Sequence, residues 1–514
     1  VLTRDLRLSV IDTDPEIART SQFVLAPGQS FTFDAQALDG LRHGRATLVA
    51  GAGAGAALDV AGLIQRLHTY PYGCTEQIAS SVQPLLLASD MMAQLGLITA
   101  TQARIQVQDA VQRILTRQDR RGSFGLWGAG GYELWLDAYV TDVLLRAEAG
   151  GATVPSPAMR ASLSNLRTQV SQSGDLFDDV AGPAYALYVL ARAGEAAIGD
   201  LRYYADTLAE RFDTPLAAAH LAAALAAYGE QGRADAMFAR AFALAKDNAE
   251  DAGWRRDYGT SLRDRAGLLA LAVEAGSNAV DRMQLVGMIG AQSRAPGTQL
   301  STQEAVWALQ AATALGGSAQ GLVLDGTPVS GNVVQFWNGQ SQTLRNDGTA
   351  DVTVTLTAFG IPEAPVAAGG IGYTITRSHF TPEGAALDLK SLRVGDRVVT
   401  VLTVEPDPGI AGGRLMVDDA LPAGLEIDAA NLLRSGDIRA LDWLDLHDLS
   451  ETTEARSERF LAAIDWTEDR PLRLGYIARA VSAGDFHHPP AQVEDMYRPT
   501  NRATSATGRV TIAP

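Results

Sequence analysis

The 514-residue sequence holds a single cysteine, Cys74, so no internal disulfide framework can brace the fold, and the redox compartment stays open. Lys and Arg (42) are outnumbered by Asp and Glu (59), a formal charge of −17. Without a local basic patch to offset it, this excludes a nucleic-acid or anionic-membrane surface. No apolar run is long enough for a spanning helix within this stretch. The chain opens Val-Leu-Thr, without Met or a signal peptide, and is expected to be a processed product or a portion of something longer. Aromatics are few (6%), but 46% apolar and 20% charged residues suit an ordinary folded protein, neither disordered nor fibrous. At roughly 100 to 200 residues per domain, several domains are expected.

Short apolar stretches near the start, such as Leu6-Arg7-Leu8-Ser9-Val10-Ile11 and Ser30-Phe31-Thr32-Phe33, alternate with turn residues and predict strands. The pattern then becomes helical and rich in Ala and Leu. Gly96, Gly150, Gly194, Gly229, Gly276 and Gly316 close successive runs at intervals mostly of about 35 to 50 residues, the length of a helical hairpin. Six such hairpins can close into an α/α toroid, which buries both terminal faces without capping repeats. Ala-rich helices such as Pro215 to Tyr228 suit its crowded inner ring.

Strand patterns return in Gly331–Trp337, Asp351–Leu356 and Arg397–Val404, giving a β-sandwich region with a boundary near Ala367–Gly370. The roughly 50 β residues on either side of the helices are too few for a sandwich alone. They are expected to form one β-domain with the helical ring inserted.

Several motifs have bland readings. Gly51-Ala52-Gly53-Ala54-Gly55-Ala56 superficially matches a dinucleotide fingerprint, but neither a βαβ unit nor a ribose-binding acid follows. It reads as a flexible crossing between domains, and no cofactor is expected. The seven His residues lack metal-ligand spacing, and His487 and His488, beside Pro489-Pro490, are expected in an extended loop. Glu133, Asp175, Asp178 and Asp179 could serve an α/α-toroid carbohydrate-active enzyme. Acidic helix starts complementing the macrodipole account for the same residues.

The segment Tyr70-Pro71-Tyr72-Gly73-Cys74-Thr75-Glu76-Gln77 closes a loop and opens a helix, so Cys74 and Gln77 can meet at i and i+3 on one face. A lone Cys is ordinarily a small buried hydrophobe. Here thiolate attack on the Gln77 amide would expel ammonia and leave an internal thioester. Helix N-terminal N–H groups favour the thiolate and stabilise the oxyanion. An external amine could then take the acyl group and free the thiol.

Gly73-Cys74-Thr75-Glu76-Gln77, set early in a toroid flanked by β-domains, resembles the thioester signature of the alpha-2-macroglobulin and complement family. Three further segments carry the resemblance: Trp135–Val140, Ser301–Leu309 and Pro490–Pro499. The last, with Tyr-Pro-Tyr ahead of Gly-Cys, is similar to the bacterial branch. The resemblance covers essentially the whole chain, as the C-terminal part of a longer protein.

It implies a multidomain α+β architecture: a split CUB-like β-domain (1–58 with 318–370), a thioester-containing toroid (59–317) and a macroglobulin-like β-sandwich (371–514). It implies a broad-spectrum endopeptidase inhibitor, not an enzyme, that couples covalently to proteases after bait cleavage. The bait and most macroglobulin-like domains are expected outside this stretch. Tyr70, Tyr72, Met496 and Tyr497 are implied as the apolar shield of the thioester. Bacterial relatives imply a periplasmic protein, anchored to the inner membrane through a lipid-bearing Cys upstream of Val1. They also imply a peptidoglycan-synthesising penicillin-binding protein as a second partner.

In hydroxyl-reactive complement relatives a toroid His takes over the acyl group. The stretch where it would fall, Gly150 to Asp178, contains no His. His220 reads as a packed or surface residue and His68 lies outside the expected position, so direct transfer to amines is expected. The competing reading is an interaction module with a vestigial thioester.

Overall fold

A computed structural model describes residues 12–69, 72–94, 97–173, 180–247, 254–295, 297–316, 321–329, 333–337, 339–410, 412–429, 450–467 and 470–514. They fall into two compact units: Ala18–Asp39 with Thr47–Phe359, and the described residues up to Ile17 with Gly40–Ala46 and Gly360–Pro514. The strand expected at Leu6–Ile11 and the acidic residues Asp175, Asp178 and Asp179 lie outside the described residues.

Strands β1 (Ile17–Leu25), β2 (Ser30–Phe33) and β3 (Thr47–Ala52) precede the helices. Following them are β4 (Leu322–Leu324), β5 (Thr327–Val329), β6 (Val333–Phe336), β7 (Gln342–Asn346) and β8 (Val352–Gly360). Two sheets form, in the orders β1-β8-β3-β6 and β2-β7-β4-β5, each mixing strands from both sides of the helical insertion. Ala50 faces Leu356 and Phe31 faces Leu344, while Leu25, Leu322, Leu344 and Val354 share one buried cluster. The expected flexible crossing is corrected here. Gly51 and Ala52 end β3, hydrogen-bonded between β6 and β8, and Ala54–Leu58 makes one 3-10 turn that leads straight into the helices. Small residues fit because the run is largely buried in the ladder and its turn, not because it bends freely.

The helices are α1 (Val60–Thr69), α2 (Thr75–Ser81), α3 (Gln83–Leu87), α4 (Ser89–Gln94), α5 (Ala100–Leu115), α6 (Leu134–Ala149), α7 (Ser156–Ser173) and α8 (Ala181–Arg192). They continue with α9 (Ile198–Thr207), α10 (Pro215–Ala227), α11 (Gln231–Lys246), α12 (Ser261–Glu274), α13 (Arg282–Ser293) and α14 (Thr302–Leu315). Helices α8, α10, α12 and α14 are buried almost all round, whereas α5 and α11 bury one stripe. The buried helices pack in succession, α6 on α8, α8 on α10, α10 on α12 and α12 on α14. Helix α14 returns against α1, α2 and α3, and α2 packs on α6, which closes the inner ring of an α/α toroid.

The glycine stops mark the ends of these inner helices. After α8, α10 and α12, Gly194, Gly229 and Gly276 take positive φ (73°, 78° and 65°). The next N–H then reaches back to the helix: Glu195 to Leu190 O, Glu230 to Leu225 O and Ser277 to Ala272 O. Only a residue free of the Cβ penalty closes a helix this way cheaply. After α6 the left-handed residue is Gly151, not Gly150, with Ala152 N donating to Ala147 O.

The second unit is a β-sandwich. Tyr373–Phe380, Arg397–Pro406, Leu472–Ala480 and Leu425–Ala429 form one sheet, in that order. The other orders Ser450–Ala455, Arg459–Trp466, Gly413–Ala420, Ala491–Asp495, Arg502–Thr504 and Gly369–Ile371. Alternating apolar residues fill the space between, including Leu402, Leu415, Val417, Ile464 and Tyr476. His487 and His488 belong to a strand, Gly484–His488, not to the extended loop expected from Pro489-Pro490. His487 Nε2 lies 2.8 Å from Asp14 Oδ1, and His488 is buried.

Candidate functional site

Helix α2 starts at Cys74, whose backbone is extended (φ −66°, ψ 170°) while its carbonyl already accepts from Ile78 N. A capping box normally pairs a Ser or Thr with a Glu or Gln three residues on. Here Cys takes the first place. Cys74 Sγ accepts from Gln77 N at 3.4 Å, and Cys74 N donates to Gln77 Oε1 at 3.0 Å. The reciprocal pair satisfies two helix-end donors and turns the Gln77 amide back toward Cys74. The N–H on Gln77 Oε1 polarises that carbonyl, and the same N–H would face the oxyanion if sulfur attacked the amide carbon. Cys74 and Gln77 are both buried.

The loop around Cys74 is fixed from outside. Thr75 N and Thr75 Oγ1 donate to Leu126 O at 2.8 and 3.0 Å. Arg117, just past the end of α5, donates to Gly73 O (2.8 Å) through one nitrogen. Its other terminal nitrogen donates to Thr75 Oγ1 (3.2 Å) and Leu126 O (3.1 Å). Burial lowers the Arg117 pKa, with Cys74 opposing the fall and the Arg113 charge adding to it.

Glu76 is a buried carboxylate that is richly bonded. It accepts from Ser80 Oγ (2.5 Å), Gln303 Nε2 (2.6 Å) and Thr302 Oγ1 (3.0 and 2.9 Å to its two oxygens). Ser80 Oγ also lies 2.7 Å from Tyr139 OH, whose pKa is raised by burial and by the Glu76 charge, so the phenol stays neutral. Three ring helices, α2, α6 and α14, thus meet at one carboxylate. Behind them Trp135 stacks on Tyr139 (5.3 Å between centroids), with the Arg263 guanidinium 5.6 Å over its ring.

The other candidates scatter. Tyr70 lies outside the described residues; Tyr72 is half-buried two residues before Cys74. Met496 and Tyr497 are buried in the second unit, where Met496 N donates to Arg414 O and Tyr497 N to Asp495 Oδ1. Glu133, at the start of α6, accepts from Tyr258 OH. His68 is exposed at the end of α1. His220 is buried on α10, stacked on Tyr185 at 4.1 Å and edge-on to Trp307 at 5.7 Å, and burial pushes its pKa down to about 3. No cluster of three or more metal-ligating groups occurs among the described residues. Sequence reasoning quoted Thr302 and Gln303 without a role, and missed Arg117. Only the buried polar pair at the head of an otherwise apolar helix could have pointed to the former.

Two family models match the chain: one described as the bacterial alpha-2-macroglobulin MG10 domain over residues 372–500, the other as the A-macroglobulin TED domain over 49–183. Escherichia coli K12 alpha-2-macroglobulin is 31% identical over 484 residues, covering 87% of this chain and 29% of that protein. Alpha-2-macroglobulin of Xylella fastidiosa Temecula1 is 28% identical, covering 97% of the chain and 32% of its own length. The chain therefore spans about a third of the length of the curated relatives it matches. Among solved structures, native E. coli alpha-2-macroglobulin from domain MG7 to the C-terminus is 28% identical with a TM-score of 0.85, covering 97% of this chain and 82% of that one. Salmonella alpha-2-macroglobulin reacted with methylamine is 30% identical with a TM-score of 0.84, covering 97% and 34%.

Proposed function

Because this chain belongs to the alpha-2-macroglobulin family, we propose that it is the covalent-capture part of a bacterial broad-spectrum endopeptidase inhibitor, with an internal thioester between Cys74 and Gln77. The observation that carries this is the reciprocal hydrogen bonding of Cys74 and Gln77 at the start of α2, which sets a thiol against an amide in a buried site. Sulfur attacks the Gln77 side-chain carbonyl carbon, the C–N bond breaks, and ammonia leaves with the thiol proton. The product stores an activated acyl group. A lysine amine of a protease then attacks the same carbon, the C–S bond breaks, and the thiolate departs, leaving an amide to the protease. The group is consumed once, so the protein is an inhibitor and not an enzyme. A Salmonella relative is known in a form reacted with methylamine, and the same small amine is the natural probe here.

Tyr70, Tyr72, Met496 and Tyr497 are the proposed shield against water and stray amines. We further propose, on the resemblance to bacterial relatives alone, that the full-length protein works in the periplasm, anchored to the inner membrane, and that a peptidoglycan-synthesising penicillin-binding protein is a second partner. Intact mass tests the core of this reading. The native protein should weigh one ammonia less than its sequence, methylamine should add one amine, and Cys74→Ala should abolish both effects while keeping the fold. A native mass equal to the sequence mass, with prompt labelling of Cys74, would leave a vestigial site and sink the reading.

A further inference from the structure

Arg117 uses both terminal nitrogens on the loop that carries Cys74. One bonds the carbonyl of the residue before the cysteine, Gly73, at 2.8 Å; the other bonds the hydroxyl of the residue after it, Thr75, at 3.2 Å. The second also reaches Leu126 O, the same oxygen that accepts from Thr75 N and Thr75 Oγ1. Arg117 is thus fixed to both flanks of one residue. The backbone supports it, because Arg117 O accepts from Gly125 N and Gln118 bridges Phe124, so the arginine and Leu126 O sit on one short hairpin that reaches across to the loop carrying Gly73. The chain carries a formal charge of −17, and a cation spent on neutral carbonyls needs a reason. Gly73 belongs to the same arrangement: a Cβ there would stand 3.3 Å from Arg113 Nη2, so the loop runs close beneath a second arginine.

We propose that Arg117 is a positioning residue for acyl transfer at Cys74, clamping Gly73 and Thr75 and holding a fixed positive charge beside the sulfur. This rests on the thioester reading for its chemistry. When an amine nitrogen bonds to the Gln77 carbonyl carbon, the C–S bond breaks and its electron pair stays on Cys74 as thiolate, while the amine proton passes to solvent. A guanidinium that cannot deprotonate favours that thiolate as leaving group. The same charge favours it as nucleophile when the thioester first forms.

The test opens the protein with methylamine and follows alkylation of Cys74 by iodoacetamide against pH, in wild type, Arg117→Gln and Arg117→Lys. Loss of a nearby opposite charge should raise the alkylation midpoint by about one pH unit in Arg117→Gln. Arg117→Lys keeps the charge without the fork and should recover most of that shift. Methylamine opening should slow several-fold in the glutamine variant. If that variant does not fold, Arg117→Lys decides: with the charge kept and the fork lost, methylamine opening should slow while the midpoint stays near that of wild type. Equal midpoints in wild type and Arg117→Gln, or opening of Arg117→Lys as fast as wild type, overturn the proposal. Intact mass before methylamine separates the two ideas. A missing ammonia deficit removes the thioester but leaves the alkylation comparison as a test of Arg117.

Discussion

Gln303 Nε2 donates to Glu76 Oε1 at 2.6 Å, joining residues 227 positions apart. Glu76 sits one residue before Gln77 on α2, and Gln303 opens α14, so this bond ties the first and last helices of the ring at the reactive turn. Glu76→Ala leaves Thr302 Oγ1, Gln303 Nε2 and Ser80 Oγ without their carboxylate inside the protein. The expected loss of unfolding free energy is about 3 kcal/mol, since buried partners of a removed charge lose bonds they cannot replace with water. Thermal denaturation measures it, and intact mass should show a reduced thioester fraction alongside. A variant as stable as wild type would mean that the ring closes without this contact.

A second buried charge cluster centres on Arg263. Arg263 donates to Asp257 Oδ2 and Asp264 Oδ1, both at 2.6 Å, and Arg255 bridges the same two aspartates. Burial alone would raise Asp257, but the Arg263 and Arg255 guanidiniums hold it down to about 2. The stability this contributes is present above the unfolded carboxylate value near 4 and is lost as pH falls through about 2. Arg263→Met should cost about 3 kcal/mol at neutral pH, and acid unfolding should begin at higher pH than in wild type. Urea titrations at several pH values check both outcomes.

The toroid was legible in the sequence because its signals are local. A glycine that ends an inner helix needs only its own φ and the carbonyls of the preceding turn, as at Gly194 and Gly276. Cys74 and Gln77 were legible for the same reason, three residues apart on one turn. Arg117, Glu76 and Gln303 were not, because their partners are set by ring closure, and no spacing in the chain encodes which helices meet. His487 and His488 went to a loop because Pro489-Pro490 cannot continue a ladder, yet proline after a strand's last residue does not stop the strand from reaching it. The Gly51–Ala56 run reads as flexible by composition, whereas pairing on both sides of β3 removes that freedom.

Asp59 gives a pH dependence of opposite sign. Its φ is 53°, left-handed, and its carboxylate accepts from Thr357 Oγ1 at 2.8 Å and Gly62 N at 3.2 Å. Burial pushes its pKa up to about 6. A raised folded value means that its contribution is fully present below the unfolded value near 4 and is lost as pH rises through about 6. Asn tolerates left-handed φ and stays neutral throughout. Asp59→Asn should therefore flatten the fall in the urea midpoint between about pH 4 and 6, leaving the rest of the profile unchanged. A profile identical to wild type would show that Asp59 does not titrate in this window.

The proposed shield makes a kinetic prediction. Removing an apolar cover admits water to a stored acyl group without altering the group itself. Tyr70→Ala and Met496→Ala should each shorten the spontaneous lifetime of the thioester several-fold, read by the rate at which free Cys74 thiol appears. Lifetimes unchanged in both variants would take the covering role away from these residues.

Acceptor choice turns on whether a histidine can take the acyl group from sulfur. His220 is buried on α10 between Tyr185 and Trp307, and burial, aided by the Arg263 charge, pushes its pKa down to about 3. At neutral pH the ring is uncharged, and its Nε2 has no hydrogen-bond partner in the aromatic stack. To act as an acyl carrier it would have to leave that stack and pass a charged acyl-imidazolium state in a site that penalises imidazole charge. His68 lies exposed at the end of α1 and is not held by any hydrogen bond identified among the described residues. Among the described toroid histidines, direct aminolysis then has no competitor that activates hydroxyls. In a mixture of methylamine and glycerol, the opened protein should carry the amine almost exclusively, and His220→Ala should leave that ratio unchanged while lowering stability through the lost stacking. Predominant ester formation with glycerol, abolished in His220→Ala or in His68→Ala, would identify the histidine that relays the acyl group and would reverse the assignment of amines as the preferred acceptors.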